Sequence, residues 1–109
     1  MPRDDVPLRD ITNAAGLVAE FVRGIDKSAF NQDWKTRSAV LYQLTVIGEA
    51  VKRLSAELRE QHPEIPWTLM AGMRDRLIHG YDLVDWDEVW KTARLDLPDV
   101  VSKVEALLG

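Results

Sequence analysis

The stretch Val40-Leu41-Tyr42-Gln43-Leu44-Thr45-Val46-Ile47-Gly48-Glu49-Ala50-Val51 decides the fold class. Val40, Leu44, Ile47 and Val51 recur at steps of four, three and four, the interval at which side chains share one face of an α-helix. A half-buried strand would need strict alternation, and no segment of the chain offers it. The stripe continues through Leu54 and Leu58, with Lys52, Glu57, Arg59 and Glu60 on the opposite face. Asp33 stands upstream, where its carboxylate can accept the first free backbone N–H groups. His62-Pro63 stands downstream, and a residue before proline is pushed out of helical geometry. The spacing therefore predicts one long helix from Asp33 to His62. Gly48 lies on or beside its apolar stripe, where a missing side chain lets a second helix approach closely.

The same period runs outward in both directions. Leu8, Ile11, Ala15, Val18, Val22 and Ile25 predict a first helix that starts near Pro7 and weakens at Gly24. A short connection through Asp26 and Asn31 comes next. Trp67, Met70, Met73 and Leu77 predict a shorter helix from Pro66, with Gly80 as its stop. Asp85-Trp86-Asp87-Glu88 has capping-box spacing, with aspartate in the serine position, and opens a fourth helix through Val89, Trp90 and Ala93. Pro98 either kinks that helix or starts a fifth one capped by Asp96. The expectation is an all-α protein, an antiparallel bundle of four or five helices, with residues 1–109 forming one domain.

Composition narrows the function classes. At 109 residues the chain can bury one modest core. Its 46% apolar and 29% charged residues exclude a disordered acidic tail. No apolar run is long enough to span a bilayer, and no apolar stretch follows the charged start, so no membrane and a cytoplasmic location are expected. The absence of cysteine removes disulfides, thiolate metal sites and cysteine nucleophiles. Two histidines are too few for a multi-imidazole metal site in one protomer, and no metal or cofactor is expected. With 14 basic and 18 acidic residues, a net charge of −4, binding to nucleic acid needs a local basic site.

Most conspicuous side chains have a plain structural reading. Asp4-Asp5 and Asp85/Asp87/Glu88 stand at expected helix starts, where negative charge complements the helix dipole. Trp34, Trp67, Trp86 and Trp90 are read as core residues, with base stacking or interface anchoring as the other uses of tryptophan. His62 is read as a structural helix end. The informative segment is Arg74-Asp75-Arg76-Leu77-Ile78-His79-Gly80-Tyr81. Arg74 and His79 converge only if the helix ends near His79, because five residues of unbroken helix turn about 140°. By spacing Arg74, Ile78 and Tyr81 share a stripe, which puts Arg74 near the apolar face, where a charge asks for a partner or a ligand. Histidine moves protons near neutral pH, and arginine presents a planar fork to phosphate oxygens. Together they suit metal-free attack of a ribose 2′-OH on the neighbouring phosphorus.

Arg74-x-x-x-x-His79-x-Tyr81 resembles the signature of the HepT-like toxins of the HEPN superfamily. Val46-Ile47-Gly48-Glu49-Ala50-Val51 is similar to the family's IGEA segment, and His62-Pro63-Glu64-Ile65-Pro66-Trp67 to its HP-x-IPW connector. Asp85, Val89-Trp90 and Asp96-Leu97-Pro98 are similar to the family's segments downstream of the signature. The resemblance runs in order along nearly the whole chain. It implies a HEPN-type bundle that forms a homodimer, with the Arg–His motifs of two protomers around one cleft. It implies a metal-independent endoribonuclease toxin acting on RNA. The partner it implies is an MntA-like nucleotidyltransferase antitoxin, which silences the toxin by AMPylation and can join it in a higher assembly. By position, Arg74 and His79 are the catalytic pair, Asp75 assists them, and Tyr81 is the modified residue. Arg76 and Glu49 are candidate substrate-binding residues. Glu49 has a second reading as an interior carboxylate paired with Arg53. The competing functional class is a noncatalytic helical dimer that binds a nucleotidyltransferase or a nucleotide, which the acidic net charge favours.

Overall fold

A computed structural model of the chain describes residues 2–78 and 83–108, with side chains from residue 4 onward. The order is α1 (Pro2–Val22), α2 (Lys27–Gln32), α3 (Trp34–Lys52), α4 (Ala56–Gln61), α5 (Trp67–Ala71), α6 (Met73–Leu77), α7 (Trp86–Lys91), a π-helical segment (Thr92–Asp96) and α8 (Leu97–Leu108). The only β-bridge among the described residues is an isolated antiparallel one between Ile78 and Val84. The fold is an all-α bundle of the HEPN type. No helix among the described residues is long and apolar enough to cross a membrane.

The core is built on α1 and α3. Leu8, Ile11, Ala15, Val18 and Val22 from α1 are buried together with Val40, Leu44, Ile47 and Val51 from α3. Polar ties fix their antiparallel order. Asp10, early in α1, pairs with Arg53 at the end of α3 at 2.7 Å. Asp4 accepts from the Ser55 backbone N–H at 2.9 Å and from its hydroxyl at 2.8 Å. Val100 and Val104 of α8 and Val89 of α7 close the same core. Gly48 is the point of closest approach. A Cβ there would lie 3.0 Å from the Met70 carbonyl oxygen and 3.8 Å from the Met73 Cβ. The glycine on the stripe thus seats α5 and α6 directly against α3.

Several element boundaries differ from those read in the sequence. Helix α1 begins at Pro2, not near Pro7, and Pro7 lies inside it. The connection through Asp26 and Asn31 is itself helical, because Asp26 caps it and buried Phe30 anchors it. Gly24, at φ 75°, takes the left-handed geometry that ends α1. The long helix stops at Lys52 instead of His62. Ser55 turns extended there, caps α4 by accepting from the Leu58 N–H at 3.1 Å, and is clasped by the buried Asp4 carboxylate. The chain stays helical through Asp96, which is therefore no cap. A π turn, with the Leu97 N–H on the Thr92 carbonyl, admits Pro98 without a break.

Candidate active site

Helix α6 buries Met73 and Leu77, one turn apart, so Arg74 and Asp75 are turned outward. Their side chains are 64% and 88% exposed, with 3.7 Å between Arg74 Nη1 and Asp75 Oδ1. The placement of Arg74 near the apolar face is thereby corrected. The helix is too short and too tightly seated on α3 to carry the stripe past Leu77, and the guanidinium reaches solvent with only a loose carboxylate contact.

The helix ends at Leu77, before the motif histidine. Ile78 is extended and its N–H closes the last turn on the Arg74 carbonyl at 3.0 Å. Its bridge to Val84 and the Asp85 N–H on the Leu77 carbonyl at 2.8 Å hold the two flanks of the intervening segment together. His79, Gly80 and Tyr81 lie outside the described residues, and so does the expected Gly80 cap. The stop itself comes at Leu77.

Arg76 is engaged within the protein. Its Nη2 donates to Glu88 Oε1 at 2.8 Å, and both side chains are half-buried. The pair ties α6 to α7 across the motif segment. Asp85 caps α7 by accepting from the Glu88 N–H at 3.1 Å, the first half of a capping box. The Glu88 side chain, which would complete the box, is turned to Arg76 instead. A cavity of about 400 Å³ opens beside this pair, lined by Leu69, Met73 and Leu95 as well as Arg76.

Glu49 is exposed on α3 and pairs with Lys52 at 3.0 Å. It is not an interior carboxylate, and Arg53 is taken by Asp10. Residue 49 lies on the outer face because Gly48 and Ala50 turn inward. No group of three or more histidine, aspartate or glutamate side chains that would suit a metal ion occurs among the described residues.

A second polar cluster lies at the start of α3. The tryptophans do not all enter the core. Trp67 is buried and its indole N–H donates to the His62 carbonyl at 2.9 Å, while Trp86 and Trp90 are half-buried and Trp34 is 68% exposed. Arg37 is buried between two rings, 4.0 Å from the Trp34 centroid and 4.7 Å from that of Trp86. The sequence signal for this stack was the three-residue step from Trp34 to Arg37, which puts both on one helix face. Nothing local marked Trp86, or Glu88 on Arg76, because those partners are distant in sequence.

The chain matches the ribonuclease HepT-like family over residues 11–107. It is 46% identical over 92% of its length to a protein of Thermococcus cleftensis named "Probable ribonuclease HepT", covering 91% of that protein. It is 37% identical over 99% of its length to a "Putative RNase" of Methanocaldococcus jannaschii, covering 95% of it. A "Putative RNase" of Caldanaerobacter subterraneus subsp. tengcongensis is 38% identical over 93% of the chain and 90% of that protein. No solved structure matches the chain at a significant level. With the family matched over nearly its whole length, this chain belongs to the ribonuclease HepT-like family.

Proposed function

We propose that the chain is a metal-independent endoribonuclease that acts as a toxin, and that an MntA-like nucleotidyltransferase is its antitoxin. The observation that carries this reading is the Arg74/His79/Tyr81 signature in a member of a ribonuclease family. In the reaction, His79 takes the proton of a ribose 2′-OH, and that oxygen attacks the adjacent phosphorus. The P–O5′ bond breaks, and the leaving oxygen takes a proton from a second, protonated histidine. The products carry a 2′,3′-cyclic phosphate and a 5′-hydroxyl. Arg74 holds the phosphate and stabilises the charge that grows on its oxygens. Its exposure on α6 leaves it open to a polymer, and Asp75 orients its fork. Two histidines around one phosphate require two protomers, because each chain has a single motif histidine. Arg76 and Glu49 are each engaged in an ion pair and take no part in the proton transfers.

Silencing is AMP transfer to Tyr81. The phenol gives up its proton as its oxygen attacks the α-phosphorus of ATP, pyrophosphate leaves, and the motif now carries a phosphodiester. That phosphate competes with RNA for the arginine fork. The test is incubation of the purified chain with RNA in chelator. Cleavage with 2′,3′-cyclic phosphate ends, lost in His79→Ala, is expected; 5′-phosphate ends would mean attack by water and end this mechanism. Intact RNA under every condition would favour the noncatalytic binding dimer. Tyr81→Phe is expected to cut RNA and to gain no AMP mass when incubated with the nucleotidyltransferase and ATP. Equal modification of that variant would overturn the role given to Tyr81.

A further inference from the structure

The cluster at the start of α3 has features that neither packing nor ion pairing uses. Trp34 is the largest exposed ring among the described residues, and it is held in place. The Arg37 guanidinium covers one face at 4.0 Å, and the Trp86 ring meets it edge-on at 6.3 Å and 89°. With 68% of the residue exposed, the opposite face of the indole is open. A rigid flat ring binds another flat ring without first having to lose side-chain freedom.

Arg37 itself is 8% exposed and has no carboxylate within ion-pair distance among the described residues. The neighbouring acids are engaged elsewhere. Asp33 accepts from the Thr36 hydroxyl at 2.6 Å and from its N–H at 3.0 Å, and Asp87 pairs with Lys27 at 3.0 Å. Of the guanidinium nitrogens only the Nε is sealed from solvent without a partner. Among the described residues this cation is balanced by two aromatic faces alone, and a cation removed from water favours an incoming anion. The open ring and the stacked cation are together the two parts of a nucleotide's complement, a stacking face and a phosphate contact. The backbone links the cluster to the flank of the motif segment. Trp86 opens α7 two residues after Val84, and Val84 is bridged to Ile78 immediately before His79.

We propose that Trp34 and Arg37 form a subsite for single-stranded RNA, in which a base stacks on the open face of Trp34 and a backbone phosphate meets the terminal nitrogens of Arg37. The subsite rests on the ribonuclease reading and adds to it a contact remote from the reacting phosphate. Stacking is indifferent to base identity, so the subsite contributes affinity for unpaired strands and not sequence choice.

Binding is measured on the full chain carrying His79→Ala, with a short fluorescein-labelled single-stranded RNA, and cleavage kinetics on the chain with His79 intact. Trp34→Ala is expected to weaken binding roughly ten- to hundred-fold, the range for loss of one base–aromatic stack. Trp34→Phe should weaken it less. Arg37→Ala, checked for helicity by circular dichroism, should lower the slope of log affinity against log salt by about 0.7, one phosphate contact on a single strand. In cleavage the Trp34→Ala loss should fall on KM and not on kcat. Tyr42→Ala, which removes another exposed ring of α3, should keep the parent affinity. If RNA is cut and Trp34→Ala keeps the parent KM, the subsite is wrong and the ribonuclease reading stands. If the parent neither binds nor cuts RNA, both fall. If Trp34→Ala keeps its RNA affinity but loses self-association or binding to a nucleotidyltransferase, the ring is a protein contact and the subsite is overturned.

Discussion

The Arg74 side chain stands clear of the core, as its proposed catalytic role requires. It lies on the outer face of α6, its aliphatic stem leaves the core untouched, and its carboxylate contact is long. Arg74→Ala is therefore expected to abolish cleavage while changing stability by no more than about 0.5 kcal/mol, the usual range for an exposed site. Arg74→Lys should restore little, because a point charge does not reproduce a two-pronged fork. A lysine variant with full activity would show that charge alone suffices. Asp33 illustrates the opposite case, a residue whose effect is on the fold. The Thr36 hydroxyl, then its N–H, holds the Asp33 carboxyl below its ordinary value. A lowered folded-state pKa contributes stability above about pH 4 and loses it as the pH falls through the lowered value. Thr36→Val removes the largest cause, so the gap between the melting temperatures at neutral and at acidic pH should shrink. An unchanged gap would mean the cap adds nothing to acid sensitivity. At this scale the motif residues were legible because their types and order are specific. The exposure of Arg74 was not, since the spacing stripe assumed a helix running past Leu77.

At the scale of elements, the position of Arg74 depends on how closely α5 and α6 seat on α3. Gly48 sets that distance, and this much was readable from a glycine on an apolar stripe. Gly48→Ala gains about 1 kcal/mol of helix propensity, set against about 1–3 kcal/mol for forcing a methyl onto a backbone oxygen at 3.0 Å. The carbonyl of Met70 is part of the α5 backbone and cannot swing aside as a side-chain tip would. The expected outcome is a net loss of about 1 kcal/mol in denaturant unfolding. A fall in cleavage rate beyond that loss should appear at temperatures where both forms are folded, because α6 carries Arg74. A variant as stable and as active as the parent would remove Gly48 from the site's support. The break between α3 and α4 was not legible. It is made by Asp4, whose carboxylate clasps Ser55 from 51 residues away. The π turn before Pro98 escaped for a related reason, as local sequence could say that the proline disturbs a helix but not which distortion the packing would accept. The crossing from Arg76 to Glu88 is likewise a tertiary choice, which overrode the capping-box partner the sequence offered.

At the scale of the whole molecule, one protomer presents an exposed Arg74 and a single motif histidine, and the proposed reaction needs one histidine to take a proton while another gives one. A homodimer with a shared cleft meets that need, and it predicts how activity is divided. In a mixed dimer of one intact chain and one His79→Ala chain, every cleft lacks either the base or the acid. Such dimers, isolated with two different affinity tags, should fall to a few per cent of the parent rate or lower, in keeping with the roughly 10²–10⁴-fold contribution of a positioned acid or base. The pH–rate profile of the parent should be bell-shaped, because one imidazole must be neutral and the other charged. In the mixed dimer one limb should vanish. A mixed dimer that retains half the parent rate with the full bell would place both proton transfers within a single protomer, and the shared cleft would then be wrong. The outcome does not depend on Trp34, whose proposed role is in affinity, nor on Tyr81, whose proposed role begins only on modification. The three residues can thus be separated by KM, by mass and by the shape of the pH profile.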